Sequence, residues 1–217
     1  MMRSRFDEQL AQLNREMIEM GALCEQIIGI VSDALEKWDP ELSTHIQPVA
    51  SAIDQKERDI EALCLKMLLR QQPVARDLRV ISAALKMITD MERIGDQAED
   101  IAEIISYLDG RSSDLLQQIR EMASASSRMV TESVDAYVNQ DLSLAQASID
   151  HDDVVDHYFA QIKELLIEWI AQKPAEGEYA LDLLMISKYF ERIGDHATNI
   201  AEWVIFSVTG IHKETNE

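Results

Sequence analysis

The chain has 217 residues, a formal net charge of −20 and a hydrophobic fraction of 47%. This acidic excess disfavours nucleic-acid binding, which needs a basic surface, and it disfavours unaided docking on an anionic membrane. With only 7 glycines and 4 prolines, no signal peptide and no apolar run of about 18 residues, the sequence predicts an almost all-α, cytoplasmic protein made of long helices.

Two predicted helices open the chain, both indicated by apolar residues at three- and four-residue steps. The first covers about 5–38. Asp39 followed by Pro40 then predicts a new helix start, with Asp39 as the N-cap and Pro40 at the first helical position. The second helix continues to about residue 70, and Pro48 either kinks it or marks its beginning.

Four further helices are predicted along the rest of the chain, at about 74–108, 112–138, 142–172 and 179–208. The breaks between them contain glycine or proline, or an aspartate that can cap the next helix. Asp141 is such an N-cap for the fifth helix. The sequence therefore predicts six long helices.

A twelve-residue motif occurs nearly twice. Residues 92–103 read ERIGDQAEDIAE, residues 191–202 read ERIGDHATNIAE, and nine of the twelve positions are identical at an offset of 99. Asp54 and Asp156 also correspond, at an offset of 102. Such self-similarity indicates a duplicated structural unit.

The duplication predicts that three helices are followed by an equivalent three. A three-helix unit of about 100 residues can bury its own core. We therefore expect two tandem three-helix bundles, covering residues 1–109 and 110–217. A single six-helix bundle is the competing arrangement.

Each copy of the motif carries a carboxylate pair at i, i+4, which places both groups on one helix face. On a helical wheel, Glu92 and Asp96 lie about 40° apart and continue the direction of the apolar residues Ile81, Leu85 and Ile88. Ordinary solvated acids would lie on the opposite face. The pattern therefore predicts carboxylates that project into a groove between helices.

Acidic residues on neighbouring helices match these pairs. Helix five carries Asp152 and Asp156, again at i, i+4, to accompany Glu191 and Asp195 of helix six. The candidate residues in the first half are Glu92 and Asp96 with Asp54, and Asp100 is a further candidate. Ala50 stands at the position equivalent to Asp152, so Glu57, Glu61 or Asp100 would have to compensate. The second-half site is thus predicted to be the more complete.

Carboxylates held close together repel each other and require a cation, a shared proton or a metal. Arg93 and Arg192 lie about 100° round their helices from the motif glutamates, so a multivalent cation meets this need better. Oxygen ligands suit Mg²⁺, Ca²⁺, Mn²⁺ or Fe³⁺. A purely structural polar cluster remains the alternative.

Other residues in and around the motif have simpler interpretations. Gly95 and Gly194 are expected to permit close helix packing, with ligand access as the alternative. His196 is expected to be a partly exposed polar residue more readily than a ligand. Cys24 and Cys64 form no CxxC pair and are predicted to be buried, reduced thiols.

The sequence contains no GxSxG motif, no P-loop and no glycine-rich strand-to-helix turn. It therefore favours a protein that is not an enzyme. A metal-dependent enzyme that uses these carboxylates and a metal-free helical scaffold remain as alternatives.

Several further segments match a known family pattern. They are QPVARDLR at 72–79, ERIGD at 92–96, the stretch from Asn199 through Trp203 to Gly210, FDEQL at 6–10, and Met20–Gly21. On these segments the chain resembles the PhoU family of phosphate-uptake regulators over essentially its whole length. The resemblance implies two tandem three-helix bundles and metal clusters on E(D)xxxD motifs.

The resemblance assigns metal-ligand roles to Glu92, Asp96, Glu191, Asp195, Asp152 and Asp156, with Asp54 as half of the remaining pair and Asp100 as a weaker candidate. The metal it implies is iron or another cation such as magnesium, manganese, calcium or zinc. It also implies a cytoplasmic adaptor between the ATPase subunit of a phosphate ABC transporter and a sensor histidine kinase. Such an adaptor acts as a negative regulator, meets the membrane only through its partners, and forms a homodimer by family analogy.

Overall fold

The fold is all-α, as the sequence predicts. A computed structural model describes residues 2–71, 74–108, 110–111 and 113–211. Its α-helices are α1 (Met2–Glu36), α2 (Leu42–Gln71), α3 (Ala75–Tyr107), α4 (Leu115–Asn139), α5 (Leu142–Asp150), α6 (Asp152–Gln172) and α7 (Gly177–Thr209), with one 3₁₀ turn at Pro174–Glu176 before α7. Within these described ranges no helix is long and apolar enough to cross a bilayer. Residues 72–73, in the predicted break between the second and third helices, lie outside the described residues.

Aspartates stabilise equivalent helix starts in the two halves. Asp141 accepts hydrogen bonds from the backbone N–H groups of Ser143 (2.9 Å) and Leu144 (3.1 Å), which confirms it as the N-cap of α5. Asp39 accepts a bond of 2.9 Å from the N–H of Glu41. This bond closes a turn ahead of α2, so Pro40 is not the first helical residue.

Helix α2 begins at Leu42 and includes Pro48 in its interior. The alternative in which the helix starts at Pro48 is therefore wrong. Proline lacks a backbone N–H, so one intrahelical bond is missing near the second turn of α2.

The predicted fifth helix is interrupted at a single residue, His151, which separates α5 from α6. Its backbone keeps right-handed helical angles (φ −72°, ψ −15°), and its N–H still donates to the carbonyl of Ala147. Its ring Nδ1 lies 2.7 Å from Glu132 of α4. The two helices therefore form one rod with a local irregularity at His151, which is held against α4.

The seven helices assemble as two three-rod bundles, α1–α3 and α4–α7, which pack side by side through α1 against α4 and α3 against α7. The hydrophobic core is continuous across both, with Met17 and Ile27 in α1, Ile94 in α3, Met129 in α4 and Phe190 in α7. The predicted tandem arrangement is confirmed. The boundary between residues 109 and 110, as a limit of separate domains, stays a prediction.

The α3–α7 seam is pseudo-symmetric. Asn199 donates a hydrogen bond of 3.2 Å to Asp90, whose carboxylate also lies 2.9 Å from Nδ1 of His196. Tyr189 lies against Asp100 at the other end of the contact. Because 90 and 189, and 100 and 199, each differ by the repeat offset of 99, the two contacts correspond. The helices therefore pack antiparallel, about an approximate twofold axis.

Both cysteines are buried and free, as predicted. The thiol of Cys24 donates to the carbonyl of Met91 at 3.5 Å. Burial raises the pKa of both thiols to about 12. These thiols are therefore protonated packing groups of the core at neutral pH.

Candidate functional site

The four acids predicted for the second half converge between α6 and α7. The pKa of Asp152 is raised to about 6, first by burial and then by the negative charges of Asp156, Asp195 and Glu191. The pKa of Asp195 is also raised by burial and by Glu191, with Lys188 acting against the rise. The four carboxylates therefore form one electrostatic cluster in the groove between these helices.

Gly194 determines how closely α6 approaches this cluster. A Cβ atom at this position would lie 3.3 Å from Cγ1 of Val155 and 3.4 Å from Oδ1 of Asp152. At the equivalent Gly95, a Cβ would lie 3.3 Å from Cδ1 of Ile53. Close helix packing thus accounts for both glycines, and at Gly194 the missing side chain also leaves room for a carboxylate.

In the first half, Asp54 of α2 and Glu92 and Asp96 of α3 also lie close together. Burial raises the pKa of Glu92, followed by the charge of Asp96, with smaller contributions from Glu57 and Asp54. Glu57 shows the same direction of shift, caused by burial and then by Glu61 and Asp54. The sequence indicates Glu57 and Glu61 only as possible substitutes for the carboxylate missing at Ala50, and the structure places both near this cluster.

Asp100 occupies a different place from the other candidates. It lies on the α3–α7 seam beside Tyr189 and Arg192, and burial raises its pKa while both of these residues oppose the rise. Asp96 is the cluster acid that acts on it. Asp100 therefore borders the first-half cluster and also contacts the second half of the molecule.

Basic residues neutralise part of each cluster. The expectation that Arg93 lies too far round the helix to serve as a partner of Glu92 is wrong. Arg93 Nη1 lies 2.9 Å from Asp96, and its Nε lies 3.5 Å from Glu92. The long side chain of Arg93 therefore spans the roughly 100° on the helix that separates it from Glu92. In the second half the basic partner is Lys188, which lies one turn before Glu191 on α7 and pairs with it. The carboxylates in each cluster still outnumber these basic partners.

The predicted role of His196 is consistent with its position on the seam. It is partly buried and its ring bonds Asp90 on α3, although it directly follows Asp195. The structure therefore gives this histidine a partner from the other half of the chain. Neither its spacing nor its neighbours in the sequence indicated that partner.

The carboxylates suit a hard cation in their chemistry, because their donors are all oxygen and their charge is incompletely balanced. In the side-chain positions observed, no three His, Cys, Asp or Glu groups among the described residues are arranged to hold a metal ion. Coordination would thus require the carboxylates to rotate toward a common point. Metal binding by these residues remains a prediction.

The sequence pattern does not identify one acid near the first-half cluster, Glu99. Glu99 is partly buried, and its pKa is raised by burial and then by the charges of Asp54, Asp96 and Asp100. It lies seven residues after Glu92, so it is on the same side of α3. The i, i+4 pattern used to find the other acids could not identify it.

Comparison with known proteins identifies the family that has this architecture. The family model described as "PhoU domain" matches the chain twice, over residues 17–105 and 119–204. The chain belongs to the PhoU family. The two matches fall in the two halves that the repeated motif marks out, so each three-rod bundle corresponds to one PhoU domain.

Two PhoU relatives illustrate the extent of the similarity. The chain is 34% identical over 219 residues to a protein of Clostridium acetobutylicum named phosphate-specific transport system accessory protein PhoU homolog, and the match covers 100% of both chains. It is 33% identical over 208 residues to the homolog of the same name from Pseudomonas aeruginosa, covering 95% of this chain and 86% of that one.

Solved PhoU structures share the fold. The crystal structure of PhoU from Pseudomonas aeruginosa superposes with a TM-score of 0.89 at 33% identity, covering 95% of this chain and 100% of that chain. The phosphate transport system regulatory protein PhoU from Streptococcus pneumoniae gives a TM-score of 0.87 at 24% identity, covering 96% and 99% respectively. The second comparison supports the fold alone.

Proposed function

We propose that this chain is a cytoplasmic regulatory adaptor of phosphate uptake. In this role it contacts the ATPase subunit of a phosphate ABC transporter and a sensor histidine kinase, and it holds the phosphate-starvation response off when phosphate is plentiful. The observation that carries the proposal is the full-length match to a phosphate-specific transport system accessory protein. An adaptor role, without catalysis, fits a family whose members are named as accessory proteins of a phosphate-specific transport system.

The acidic surface of the chain bears on how it meets these partners. A net charge of −20 makes direct contact with an anionic membrane unfavourable, so contact with a membrane transporter would run through the soluble surfaces of its subunits. Basic surfaces on those subunits would raise the association rate, and this steering weakens as ionic strength rises. A homodimer, by analogy with the family, would present each surface twice.

We further propose that both acidic clusters bind hard cations. Asp152, Asp156, Glu191 and Asp195 would hold the ion in the second half, and Asp54, Glu92 and Asp96 would hold it in the first, with Asp100 at its border. A bound cation would supply positive charge that neutralises the mutual repulsion of these carboxylates. Iron, magnesium, manganese, calcium and zinc are the candidates.

The adaptor role is tested by binding to purified partners. We expect the immobilised chain to bind the transporter ATPase subunit in biolayer interferometry, with an affinity that falls as salt is raised from 50 to about 300 mM. An unrelated acidic helical protein of similar charge serves as the control. If neither the transporter subunits nor the kinase bind above that control at low salt, the adaptor proposal fails.

Cation binding is tested by elemental analysis of protein purified without chelator or nickel column. The double variant Glu191→Ala with Asp195→Ala is expected to lose bound metal. The matched control is Glu164→Ala with Glu168→Ala, because these residues form an exposed acidic i, i+4 pair on α6. Unchanged metal content in the first variant would remove the second-half assignment. A parent protein that contains no metal and binds none on addition would favour the metal-free scaffold.

The enzyme alternative is separated by activity. Metal-loaded protein is assayed for phosphate-ester hydrolysis and for oxidation of Fe²⁺, with the double variant as the blank. Turnover that disappears with Glu191 and Asp195 would replace the adaptor proposal by a metalloenzyme. Equal background rates in both proteins are the expected result.

A further inference from the structure

Arg79, near the start of α3, is an exception among the partly buried cations of this chain. Among the side chains that the structure describes, four lysine or arginine residues are partly buried. The other three each form a salt bridge with a glutamate: Lys56 with Glu16, Arg120 with Glu36 and Lys188 with Glu191. Arg79 forms none with any described carboxylate. Because a partly buried guanidinium has lost part of its hydration, an anion beside it would be stabilising.

The contacts of Arg79 leave one side of its guanidinium group for a ligand. Its Nε atom is buried and has no hydrogen-bond acceptor. This side of the group lies against the end of α7, where a Cβ atom at Gly210 would be 3.4 Å from Cδ and 3.5 Å from Nε of Arg79. Gly210 has a φ of 78°, which favours glycine, and the missing side chain permits this approach. The terminal nitrogens of Arg79 bond no described residue.

A second arginine, Arg76, lies one turn before Arg79 and about 60° from it on the helix. It is exposed, and its Nη2 donates a hydrogen bond of 2.6 Å to the neutral side chain of Gln140, at the end of α4. The nearby acids are engaged elsewhere, since Asp77 accepts a bond from the backbone at the start of α3 and Asp141 caps α5. Two arginines at this end therefore have no described carboxylate partner, in a chain with 40 acidic residues.

Exposed apolar side chains flank these arginines. Val74 and Leu78 are 65% and 44% exposed, and they share one face of α3 because they are four residues apart. Leu78 directly precedes Arg79. Ile211 is 72% exposed and follows the glycine that contacts Arg79. A free anion would leave these apolar groups in water, whereas a protein segment could cover them and also supply a carboxylate.

We propose that this end of α3 is a docking surface for a segment of a partner protein that presents a carboxylate between apolar side chains. The surface, called the basic end below, consists of Val74, Arg76, Leu78, Arg79 and Ile211. The inference rests on the proposed adaptor role and adds the chemistry of one contact. The net charge of −20 repels an acidic segment from the chain as a whole, so local charge complementarity selects the basic end for it.

The test measures binding of the immobilised full-length chain to the purified transporter ATPase subunit and to the detergent-solubilised sensor kinase, by biolayer interferometry. Arg79→Gln is expected to weaken binding of at least one of them by about tenfold or more, because it removes one member of an ion pair that docking would bury. The matched control is Arg120→Gln. This arginine is also partly buried, but it pairs with Glu36 near the opposite end of α4, so affinity should change less than about twofold.

A second variant tests the apolar part of the basic end without endangering the fold. Val74 is the N-cap of α3, and serine is a better N-cap than valine. Val74→Ser should therefore keep or raise the melting temperature of the free protein while it weakens binding of the same partner about threefold. Arg79→Gln should also leave the melting temperature unchanged or higher, because no described carboxylate loses its partner.

Three outcomes would overturn the inference. If Arg79→Gln binds both partners as tightly as the parent, the basic end is not a docking surface, while the adaptor role stands. If the parent binds neither partner, the adaptor proposal fails and the inference fails with it. Glu214 and Glu217 lie outside the described residues. A fall in melting temperature in Arg79→Gln that is reproduced by Glu214→Gln with Glu217→Gln would show that the chain supplies its own counter-charge.

Discussion

Replacing Asp152 by asparagine is expected to stabilise the metal-free protein at neutral pH. The pKa of Asp152 is raised from 3.8 to about 6, and at about 1.36 kcal/mol per unit this corresponds to roughly 3 kcal/mol of unfavourable ionisation in the folded state. The side chain is only partly buried, so screening by water reduces the expected effect to about 1–1.5 kcal/mol. Asparagine keeps the shape and removes the charge.

The pH dependence gives the sign of this effect. Below about pH 3.8 the carboxyl is protonated in both states and carries no penalty, whereas above about pH 6 it is ionised in both and the penalty is complete. The contribution of this group to stability is therefore present at low pH and lost as pH rises through about 6. At pH 4.5 the gain from Asp152→Asn should fall to roughly a third of its value at pH 7.5.

The assay is urea unfolding followed by circular dichroism, at pH 7.5 and 4.5 with EDTA present. The control is Asp153→Asn, on the next residue of α6, whose side chain is exposed. We expect Asp153→Asn to change the free energy of unfolding by less than about 0.5 kcal/mol. A loss of stability in Asp152→Asn at pH 7.5, or an equal gain at both pH values, would refute the electrostatic argument.

Three further outcomes are expected. Gly29→Ala should raise the free energy of unfolding by about 0.5–1 kcal/mol, because an added Cβ meets nothing within 4 Å. Gly194→Ala should raise it less, because its Cβ would lie 3.3 Å from Cγ1 of Val155. Equal gains for the two variants in urea unfolding would contradict this reasoning. Neither Cys24 nor Cys64 should react with Ellman's reagent until the protein is unfolded, and rapid labelling of native protein would contradict their burial. Asp141→Ala should lower the melting temperature through a loss of about 1 kcal/mol, and an unchanged value would show that its two cap bonds contribute nothing.

The helices and the position of the acidic pairs were predictable because they depend on local periodicity. Predicted ends for α1, α3, α4 and α7 fall within three residues of the observed ones. A helical wheel places Glu92 and Asp96 beside the apolar stripe, and in the structure both are partly buried next to α2. Apolar residues that face a neighbour force adjacent acids into the same groove, so this step needs no knowledge of the partner helix.

Individual side-chain contacts were harder to predict, because they depend on the reach of side chains and on the register between helices. Arg93 contacts both Glu92 and Asp96 although the wheel sets it apart, since a long flexible stem spans that angle. The bond between His196 and Asp90 requires the antiparallel register of α3 against α7.

The pseudo-symmetric seam between α3 and α7 has a consequence for how the two halves can evolve. Two identical half-length chains packed about a twofold axis would form a homodimer, in which every substitution appears in both copies at once. Covalent fusion of the copies removes that restriction. Position 50 can then carry alanine in one half while the equivalent position 152 carries aspartate in the other.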